Sequence, residues 1–338
     1  MRILLLGAAG LLSGAAREAF LAAGHDVTVL SRGSRTLPAH ARLRALRADR
    51  TDAVALSAAL AGEQFDFTVD FLAFDAADVT RLFGVSGFRP GRVVMISTGQ
   101  VYLVTEEPRP PFREADADAP VIPEPEKDTR AWHNWVYGVG KRAAEAALVR
   151  EGRARDVPVL ALRLPVVQGE TDGSNSQRLW AWLERLRDGG PVLMPDDGVQ
   201  PVRFVYSGDA AAALVRLAAG PKWPTVPALN LAQPSEEPLR AFIERLARLA
   251  NLTPHIVPVT GDVLAAEGLA ETCATYWGRW CSRPDPSAAL SVLGFRTHDP
   301  EDYMPSVVAA HLASPPVTSH PGYAHRARER SLAARLGH

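Results

Sequence analysis

The fold class of this chain can be read from residues 2–14, RILLLGAAGLLSG. The continuous apolar run before the first glycine is typical of a strand buried on both faces of a parallel sheet. Gly7 permits a tight turn, and Gly10 lets a pyrophosphate approach the backbone at the N-terminus of the helix that follows. Ser13 stands in the place of the usual third glycine. The stretch therefore predicts a dinucleotide-binding loop that includes Gly7, Gly10, Leu11 and Leu12.

Outward from this loop, apolar runs alternate with helical patterns. Strands are predicted at Arg2–Leu6, Asp26–Leu30, Arg44–Arg47, Phe67–Leu72, Arg92–Ser97 and Val159–Leu164. Helices are predicted at Leu12–Ala23, Asp52–Ala61, Ala76–Phe83 and Tyr137–Arg150. This alternation predicts an α/β fold, a Rossmann-type doubly wound parallel sheet with helices on both faces.

Two regions depart from the alternation. Residues Leu103–Asn134, rich in proline and acidic side chains, are predicted to form an excursion without helix or strand, either a substrate lid or a solvated loop. The dinucleotide-binding domain is predicted at 1–165, completed by parts of 195–235. A smaller, mostly helical C-terminal substrate domain is predicted at 166–194 and 236–313. The C-terminal tail at 314–338 is predicted to be a linker and a basic terminal helix.

The composition limits the possible partners. The chain has 338 residues, 47% of them hydrophobic, and a formal net charge of -1. This balance creates no field that attracts nucleic acid or an anionic membrane. No apolar stretch reaches the roughly 18 residues of a membrane span, and neither the two cysteines nor the histidines have the spacing of a zinc site. We expect a cytoplasmic protein without a metal; the alternative is secretion with cleavage after the short N-terminal apolar run.

Tyr137 and Lys141 are four residues apart in a predicted helix, so their side chains share one face. With six tyrosines and only three lysines (Lys127, Lys141 and Lys222), random placement gives about 0.05 such pairs. An ammonium beside a phenol lowers the pKa of the phenol from about 10 towards neutrality, as a general acid/base requires. The pair therefore predicts proton transfer beside a cofactor, with Lys141 also within reach of the cofactor ribose.

The fifth predicted strand ends in Ser97-Thr98-Gly99-Gln100, at the carboxyl edge where ligands bind in open α/β sheets. The Thr98 hydroxyl is the candidate that orients a substrate oxygen towards Tyr137. Ser97 is the rival candidate, because hydroxyl side chains at strand ends also serve turns.

The second predicted strand ends where NAD-binding chains place an acidic residue for the ribose 2′-hydroxyl. This chain has Ser31 there, flanked by Arg32 and Arg35. Guanidinium groups pair with a 2′-phosphate, whereas a carboxylate repels it. The sequence therefore favours NADP over NAD as the cofactor.

Together these motifs resemble the extended short-chain dehydrogenase/reductases of the NAD-dependent epimerase/dehydratase group. GAAGLLSG is similar to the GxxGxxG loop of that family, STGQVY to its SSxxVY segment and YGVGKRAAE to its YxxxK motif, over about residues 1–310. The resemblance implies that Thr98, Tyr137 and Lys141 are the catalytic residues. It also implies cofactor contacts from Asp49, Arg50, Leu72, Ala73, Ser97, Tyr137, Lys141 and Pro165.

The resemblance is weaker in the segment that meets the substrate. Where nucleotide-sugar enzymes read RxxNVYGP, this chain has Val166, Gln168 and Glu170 in place of the asparagine, tyrosine and proline. The resemblance therefore supports the fold and the cofactor better than the substrate. Gln100, Gln168 and Arg203 are the candidate substrate contacts, with Arg203 facing a phosphate.

The expected function is that of an NAD(P)-dependent oxidoreductase or epimerase acting on a sugar-like or carbonyl/hydroxyl substrate, with Tyr137 as general acid/base. Reduction and epimerisation use the same residues, so the sequence leaves both open. The alternative is a non-catalytic dinucleotide-sensing or RNA-binding protein on the same fold, suggested by Ser13 and the basic tail. The expected partner is a small-molecule substrate, and the resemblance implies a second copy of the chain in a homodimer. Binding to nucleic acid or to a membrane is not expected.

Overall fold

The computed structural model describes residues 1–7, 10–34, 36–171, 177–270, 272 and 275–337. The chain divides into two compact units. The first unit comprises Met1–Val167, Phe204–Pro234 and Ser282–Thr297, and the second comprises Gln168–Arg203, Ser235–Cys281 and His298–His338.

The strands are β1 (Arg2–Leu6), β2 (Asp26–Ser31), β3 (Leu43–Arg47), β4 (Phe67–Asp70), β5 (Arg92–Thr98), β6 (Val159–Leu164), β7 (Val166–Gln168), β8 (Pro191–Pro195), β9 (Pro201–Val202), β10 (Phe204–Tyr206), β11 (Ala228–Asn230), β12 (Glu237–Pro238) and β13 (His255–Val259). The α-helices are α1 (Leu11–Ala22), α2 (Ala53–Leu60), α3 (Ala76–Phe83), α4 (Gln100–Leu103), α5 (Arg130–Arg155), α6 (Arg178–Arg187), α7 (Ser207–Ala219), α8 (Leu239–Leu249), α9 (Gly261–Ala266), α10 (Ser287–Val292), α11 (Pro300–Ala313) and α12 (Arg326–Arg335). Short 3-10 helices lie at Glu114–Asp118, Asp196–Gly198 and Pro321–His325.

The first unit is built on a seven-stranded parallel sheet of order β11-β6-β5-β4-β1-β2-β3. The chain lays down β1, β2 and β3 in one direction and then returns to place β4, β5 and β6 on the other side of β1. This reversal opens a crevice at the carboxyl ends of β1 and β4. The predicted α/β fold with a doubly wound parallel sheet is confirmed.

Alternate side chains of each strand enter different cores. In β1, Ile3 and Leu5 pack with Leu12 of α1 in one cluster. Leu4 and Leu6 pack in another cluster with residues of α2 and α3. Because successive side chains of a strand point to opposite faces, this division covers both sides of the sheet.

The helix that carries Tyr137 and Lys141 is longer than predicted. It begins at Arg130, within the segment that was predicted to lack helix and strand, and ends at Arg155. The hydroxyl of Thr129 caps it by accepting the N–H of Trp132 at 3.1 Å. The prediction was wrong at this boundary because the first turns of the helix lack an amphipathic stripe. Their tryptophans hydrogen-bond to the preceding segment instead, as Trp135 does to the carbonyl of Ile122 at 3.1 Å.

The second unit contains a two-stranded parallel sheet of β8 and β13 and the helices α6, α8, α9, α11 and α12. The C-terminal tail at 314–338 contains the predicted terminal helix, α12, whose Glu329 is fully buried and forms an ion pair of 2.5 Å with Arg185 of α6. Arg326 joins the same cluster through Glu329 at 2.9 Å and also pairs with Asp188 at 2.5 Å. Within the described ranges, no helix combines the length and apolarity needed to cross a membrane.

Candidate active site

The glycine loop connects β1 to α1. Gly7 has a φ of +92°, which favours glycine, and a β-carbon at this position would lie only 2.9 Å from Cγ of Leu72. Its N–H donates to the carbonyl of Leu30 at 2.9 Å, which joins the turn to the end of β2. Gly10 is the N-cap of α1, and no acidic residue stands in the first turn of that helix.

Ser13 maintains the loop although it replaces a glycine of the family pattern. Its hydroxyl oxygen accepts the N–H of Gly10 at 3.0 Å and donates to the Gly10 carbonyl at 3.3 Å. The side chain is buried within the first turn, beside Leu12. The N-terminus of α1, with its positive end of the helix dipole and without a competing carboxylate, has the chemistry that an anionic pyrophosphate requires.

The ends of β2 and β3 bring together Ser31, Arg32 and an arginine that the sequence analysis missed. Arg47 is the register partner of Ser31, and its Nε donates to the carbonyl of Arg32 at 3.0 Å. Both arginines are exposed to solvent. Arg35 lies outside the described residues. A basic residue at the end of the third strand was the available signal for Arg47, since parallel strands end at one edge.

Asp49 and Arg50, shortly after the end of β3, have different environments. The hydroxyl and N–H of Thr51 donate to the carboxylate of Asp49 at 2.7 and 2.9 Å, and these bonds lower the pKa of Asp49. Arg50 is buried and forms an ion pair of 2.6 Å with Asp70 at the end of β4. Asp70 also accepts the N–H of Leu72 at 2.8 Å, so the pair fixes the backbone that faces Gly7.

Tyr137 and Lys141 lie beside this same segment. The rings of Tyr137 and Phe74 have centroids 6.0 Å apart. The Nζ of Lys141 lies 5.0 Å from the centroid of the Phe74 ring and 5.8 Å from that of Tyr137. Gly140 permits the close approach, since a β-carbon there would lie 2.7 Å from the carbonyl oxygen of Phe74. Ala73, the residue before Phe74, is fully buried.

The ammonium of Lys141 is almost removed from solvent. Only 2% of the residue is exposed, and Nζ donates to the carbonyl of Ile96 on β5 at 2.8 Å. Burial lowers the pKa of Lys141 to about 8, although Asp70 and Glu145 oppose this shift. Lys141 is therefore a cation near neutral pH that loses its proton more easily than an exposed lysine.

The hydroxyls of Ser97 and Thr98 have separate partners. Ser97 is buried and donates its hydroxyl to Glu145 of α5. The hydroxyl oxygen of Thr98 accepts the N–H of Gln100 at 3.2 Å, which leaves its proton available for another acceptor. Between the two candidates, this arrangement favours Thr98 as the side chain that meets a substrate oxygen.

Gln100 joins the end of β5 to α5. A β-carbon on Gly138, the residue after Tyr137, would lie 2.8 Å from the carbonyl oxygen of Gln100. The Gln100 carboxamide donates to Asn134 at 2.8 Å, and within the described part of the chain its buried Oε1 has no hydrogen-bond partner. The loop after β5 and the helix that bears Tyr137 are therefore in direct contact.

The remaining predicted site residues lie elsewhere along the chain. Pro165 is buried between β6 and β7 in the first unit. Gln168 and Arg203 belong to the second unit. There, Gln168 donates to the hydroxyl of Tyr276 at 3.5 Å, and Arg203 forms an ion pair of 3.0 Å with Glu236.

The candidate cofactor-binding and catalytic residues of the first unit lie at one edge of the sheet. Since β1, β4 and β5 are neighbours and parallel, Gly7, Leu72 and Thr98 lie at the same carboxyl edge. Tyr137 and Lys141 lie beside Phe74, which follows β4 in the middle of this edge. Among residues whose placement is described, no cluster of histidine, cysteine, aspartate and glutamate could hold a metal ion.

A glycine loop on a doubly wound sheet, with a tyrosine and a buried lysine at the switch point, defines the class of dinucleotide-dependent enzymes. Residues 3–231 match the model of the NAD dependent epimerase/dehydratase family. The chain belongs to this family and is an enzyme of it, as the motifs predicted.

The chain is similar to known enzymes in sequence and in fold. The chain is 29% identical over 281 residues to a 2′-dehydrokanamycin reductase from Streptomyces kanamyceticus, covering 80% of this chain and 74% of the relative. Its fold is similar to that of a UDP-glucose 4-epimerase from Thermotoga maritima (TM-score 0.70, 16% identity, 93% and 99% of the two chains). It is also similar to DesIV, a dTDP-glucose 4,6-dehydratase from Streptomyces venezuelae solved with NAD bound (TM-score 0.69, 18% identity, 93% and 98% of the two chains).

Proposed function

We propose that this enzyme is an NAD(P)-dependent reductase that interconverts a ketone and a secondary alcohol on a sugar, with Tyr137 as the general acid/base. The observation that carries the proposal is the contact of Tyr137 and Lys141 with Phe74, next to the glycine loop and the end of β5. The reductase named above acts, by its name, on a dehydro form of kanamycin, which favours reduction over epimerisation.

Each residue has a defined task in this reaction. A bound nicotinamide dinucleotide supplies the hydride acceptor or donor. Tyr137 transfers the proton at the substrate oxygen, and the Lys141 cation lowers the free energy of the phenolate. The Thr98 hydroxyl donates to the same substrate oxygen and orients it. Phe74 limits the access of water to the ammonium, which strengthens its electrostatic effect on Tyr137.

The residues present fit a nicotinamide dinucleotide. Gly7, Gly10 and the N-terminus of α1 would hold the pyrophosphate, because the described first turn of α1 has no acidic residue that would repel an anion. Leu72 and Ala73 would border the cofactor on the neighbouring strand. At the end of β2, the serine and the exposed arginines suit a 2′-phosphate, so we propose NADP as the preferred form.

Substitution of the proposed acid/base tests the function. Tyr137→Phe removes the transferable proton and keeps the ring against Phe74. We expect NADPH oxidation with 2′-dehydrokanamycin as the probe to slow by about 10²- to 10⁴-fold, while the Kd for NADPH changes by less than about threefold, since the ring is retained. UDP-glucose with NADP⁺ is the second probe.

Tyr323→Phe is the matched control, because this tyrosine lies in the second unit, bonded to Asp188 at 2.8 Å. It should retain the rate of the unmodified enzyme. Turnover by Tyr137→Phe at a rate close to that of the control would remove the assignment of Tyr137.

The cofactor preference is tested on the arginines. Arg32→Ala and Arg47→Ala each remove one charge-assisted contact of about 1.5–3 kcal/mol, so the Kd for NADPH should rise by about 10- to 100-fold. The Kd for NADH should remain unchanged, as measured by cofactor fluorescence. Arg44→Ala is the control, since Arg44 is on the same strand but pairs with Glu63 at 2.8 Å. Equal weakening of NADPH and NADH binding would contradict a 2′-phosphate site.

A further inference from the structure

Glu145 lies on α5 one turn beyond Lys141, and its carboxylate joins three elements. It accepts the hydroxyl of Ser97 on β5. It also binds the guanidinium of Arg163 on β6 through both oxygens, with Nη2–Oε2 at 2.6 Å and Nε–Oε1 at 3.0 Å. A bidentate pair of this kind is short and directional, so the carboxylate has a fixed orientation. Both side chains are about nine-tenths buried.

Arg163 extends the connection towards the excursion after β5. Its Nη1 donates to the carbonyl of Glu114 at 2.7 Å and to the hydroxyl of Tyr102 at 3.0 Å. The hydroxyl of Tyr102 in turn donates to Asn230 at 2.6 Å. Glu145 is therefore held by a cation that is itself immobilised on several sides.

The position of Glu145 has a consequence for Tyr137 and Lys141. Its bonds to Ser97 and Arg163 attach α5 to the carboxyl ends of β5 and β6. Along α5, Tyr137, Lys141 and Glu145 recur every four residues and share one face. We propose that Glu145 is a positioning residue of the active site, which through Ser97 and Arg163 fixes α5 against β5 and β6 and thereby places Tyr137 and Lys141 beside the substrate oxygen.

The same carboxylate supports the charge of Lys141. Burial lowers the pKa of Lys141, and Arg50 acts in the same direction. Asp70, Glu145 and Asp78 act in the opposite direction. A neutral side chain at position 145 removes one of these anions, so the ammonium should lose its proton at a lower pH.

The proposal rests on the proposed function, and two variants test it. Glu145→Gln should lower kcat for NADPH oxidation with 2′-dehydrokanamycin by about tenfold or more, because a small displacement at a reacting centre has a large effect on rate. The KM for that probe should change by less than about threefold. Ser97→Ala should lower kcat in the same direction without changing any charge.

A second readout does not depend on turnover. The chain has only three lysines, Lys127, Lys141 and Lys222. Protein grown with lysine labelled with ¹³C at Cε should therefore give three resonances, which Lys141→Arg assigns. Glu145→Gln should move the titration midpoint of Lys141 to lower pH, whereas Ser97→Ala should leave it unchanged.

Glu151→Gln is the matched control, because Glu151 is a buried carboxylate of the same helix that pairs with Arg150 and Arg155. It should keep both kcat and the lysine midpoint. Equal loss of activity in both glutamine variants would overturn the proposal, and so would an unchanged kcat in Ser97→Ala if Glu145→Gln does not fold. If the unmodified enzyme oxidises no NADPH with the probe, the proposed function fails, and an unmoved lysine midpoint in Glu145→Gln would then overturn the role of Glu145 as well.

Discussion

Lys141 shows how the surroundings of a side chain change its pKa. An exposed lysine has a pKa of about 10.4, and burial in this site lowers the pKa of Lys141 to about 8. The backbone carbonyl of Ile96 and the face of Phe74 take the place of water around the ammonium. Its charge is therefore present near neutral pH but is lost within the range in which enzymes are assayed.

This difference predicts how stability depends on pH. Between about pH 8 and 10.5 the unfolded chain holds a proton on Lys141 that the folded chain has released. The free energy of unfolding must therefore rise with pH across this window, by at most about 1.4 kcal/mol per unit. We expect the difference between the unmodified protein and Lys141→Met, measured by urea unfolding, to grow in this way. A difference that stays constant from pH 7 to 10.5 would show that the pKa is not lowered.

Helix α5 brings the proposed catalytic groups to the sheet. Gly138 and Gly140, between Tyr137 and Lys141, reduce helix propensity but allow the helix to approach the backbones of Gln100 and Phe74 closely. The Thr129 cap and the pairing of Glu145 with Arg163 offset this loss of helix stability. Close packing, rather than local propensity, explains why the helix exists over its full length.

The excursion before α5 is fixed by hydrogen bonds to a central buried residue. Asn230 of β11 is fully buried, donates to the carbonyls of Phe112 at 3.0 Å and Asp285 at 3.1 Å, and accepts the hydroxyl of Tyr102. Burial raises the pKa of Tyr102 to about 12, so this phenol stays protonated and serves structure. The 3-10 helix at Glu114–Asp118 is attached to the same network, since Glu114 accepts the N–H of Asn230 at 2.9 Å.

Removal of this residue should loosen the excursion. Asn230→Ala removes three side-chain hydrogen bonds from this buried network, and we expect the free energy of unfolding to fall by about 3 kcal/mol. Trypsin should also cleave faster after the exposed Arg113. Tyr102→Phe, which removes one hydroxyl from the same network, should cost about 1–2 kcal/mol. Equal stability of Asn230→Ala and the unmodified protein would mean that the network does not stabilise the fold.

At the scale of the whole molecule, each unit has its own interior. The first is organised by the parallel sheet, whereas the second depends more on charges, with Arg185 and Glu329 paired in its interior. Two buried ions stabilise a fold only as long as both are present, because an unpaired charge cannot be solvated there.

This dependence gives a prediction for the second unit. Glu329→Gln should lower the free energy of unfolding by about 3–5 kcal/mol, because the Arg185 cation then remains without its counterion. Glu267→Gln is the control, since the exposed pair of Glu267 with Arg335 should contribute about 0–1 kcal/mol. Thermal unfolding followed by circular dichroism measures both. Similar melting temperatures for the two variants would contradict a structural role for the buried pair.

Local patterns in the sequence were sufficient for much of the first unit. The strands at Arg2–Leu6 and Val159–Leu164 and the helix at Ala76–Phe83 have the predicted bounds. The fold class and the family also followed, because apolar runs, glycine spacing and the Tyr137–Lys141 interval are properties of neighbouring residues. Such signals can be recognised in the sequence without knowledge of the tertiary contacts.

Only the tertiary structure decided which groups meet across the chain. The choice between the two hydroxyls after β5 depends on Glu145, 48 residues away from Ser97, and Arg47 reaches Arg32 only because β2 and β3 are paired. The burial of Glu329 and the true start of α5 at Arg130 likewise depend on distant partners. A sequence pattern records what each residue favours locally, whereas desolvation and pairing of charges arise only when distant segments pack together.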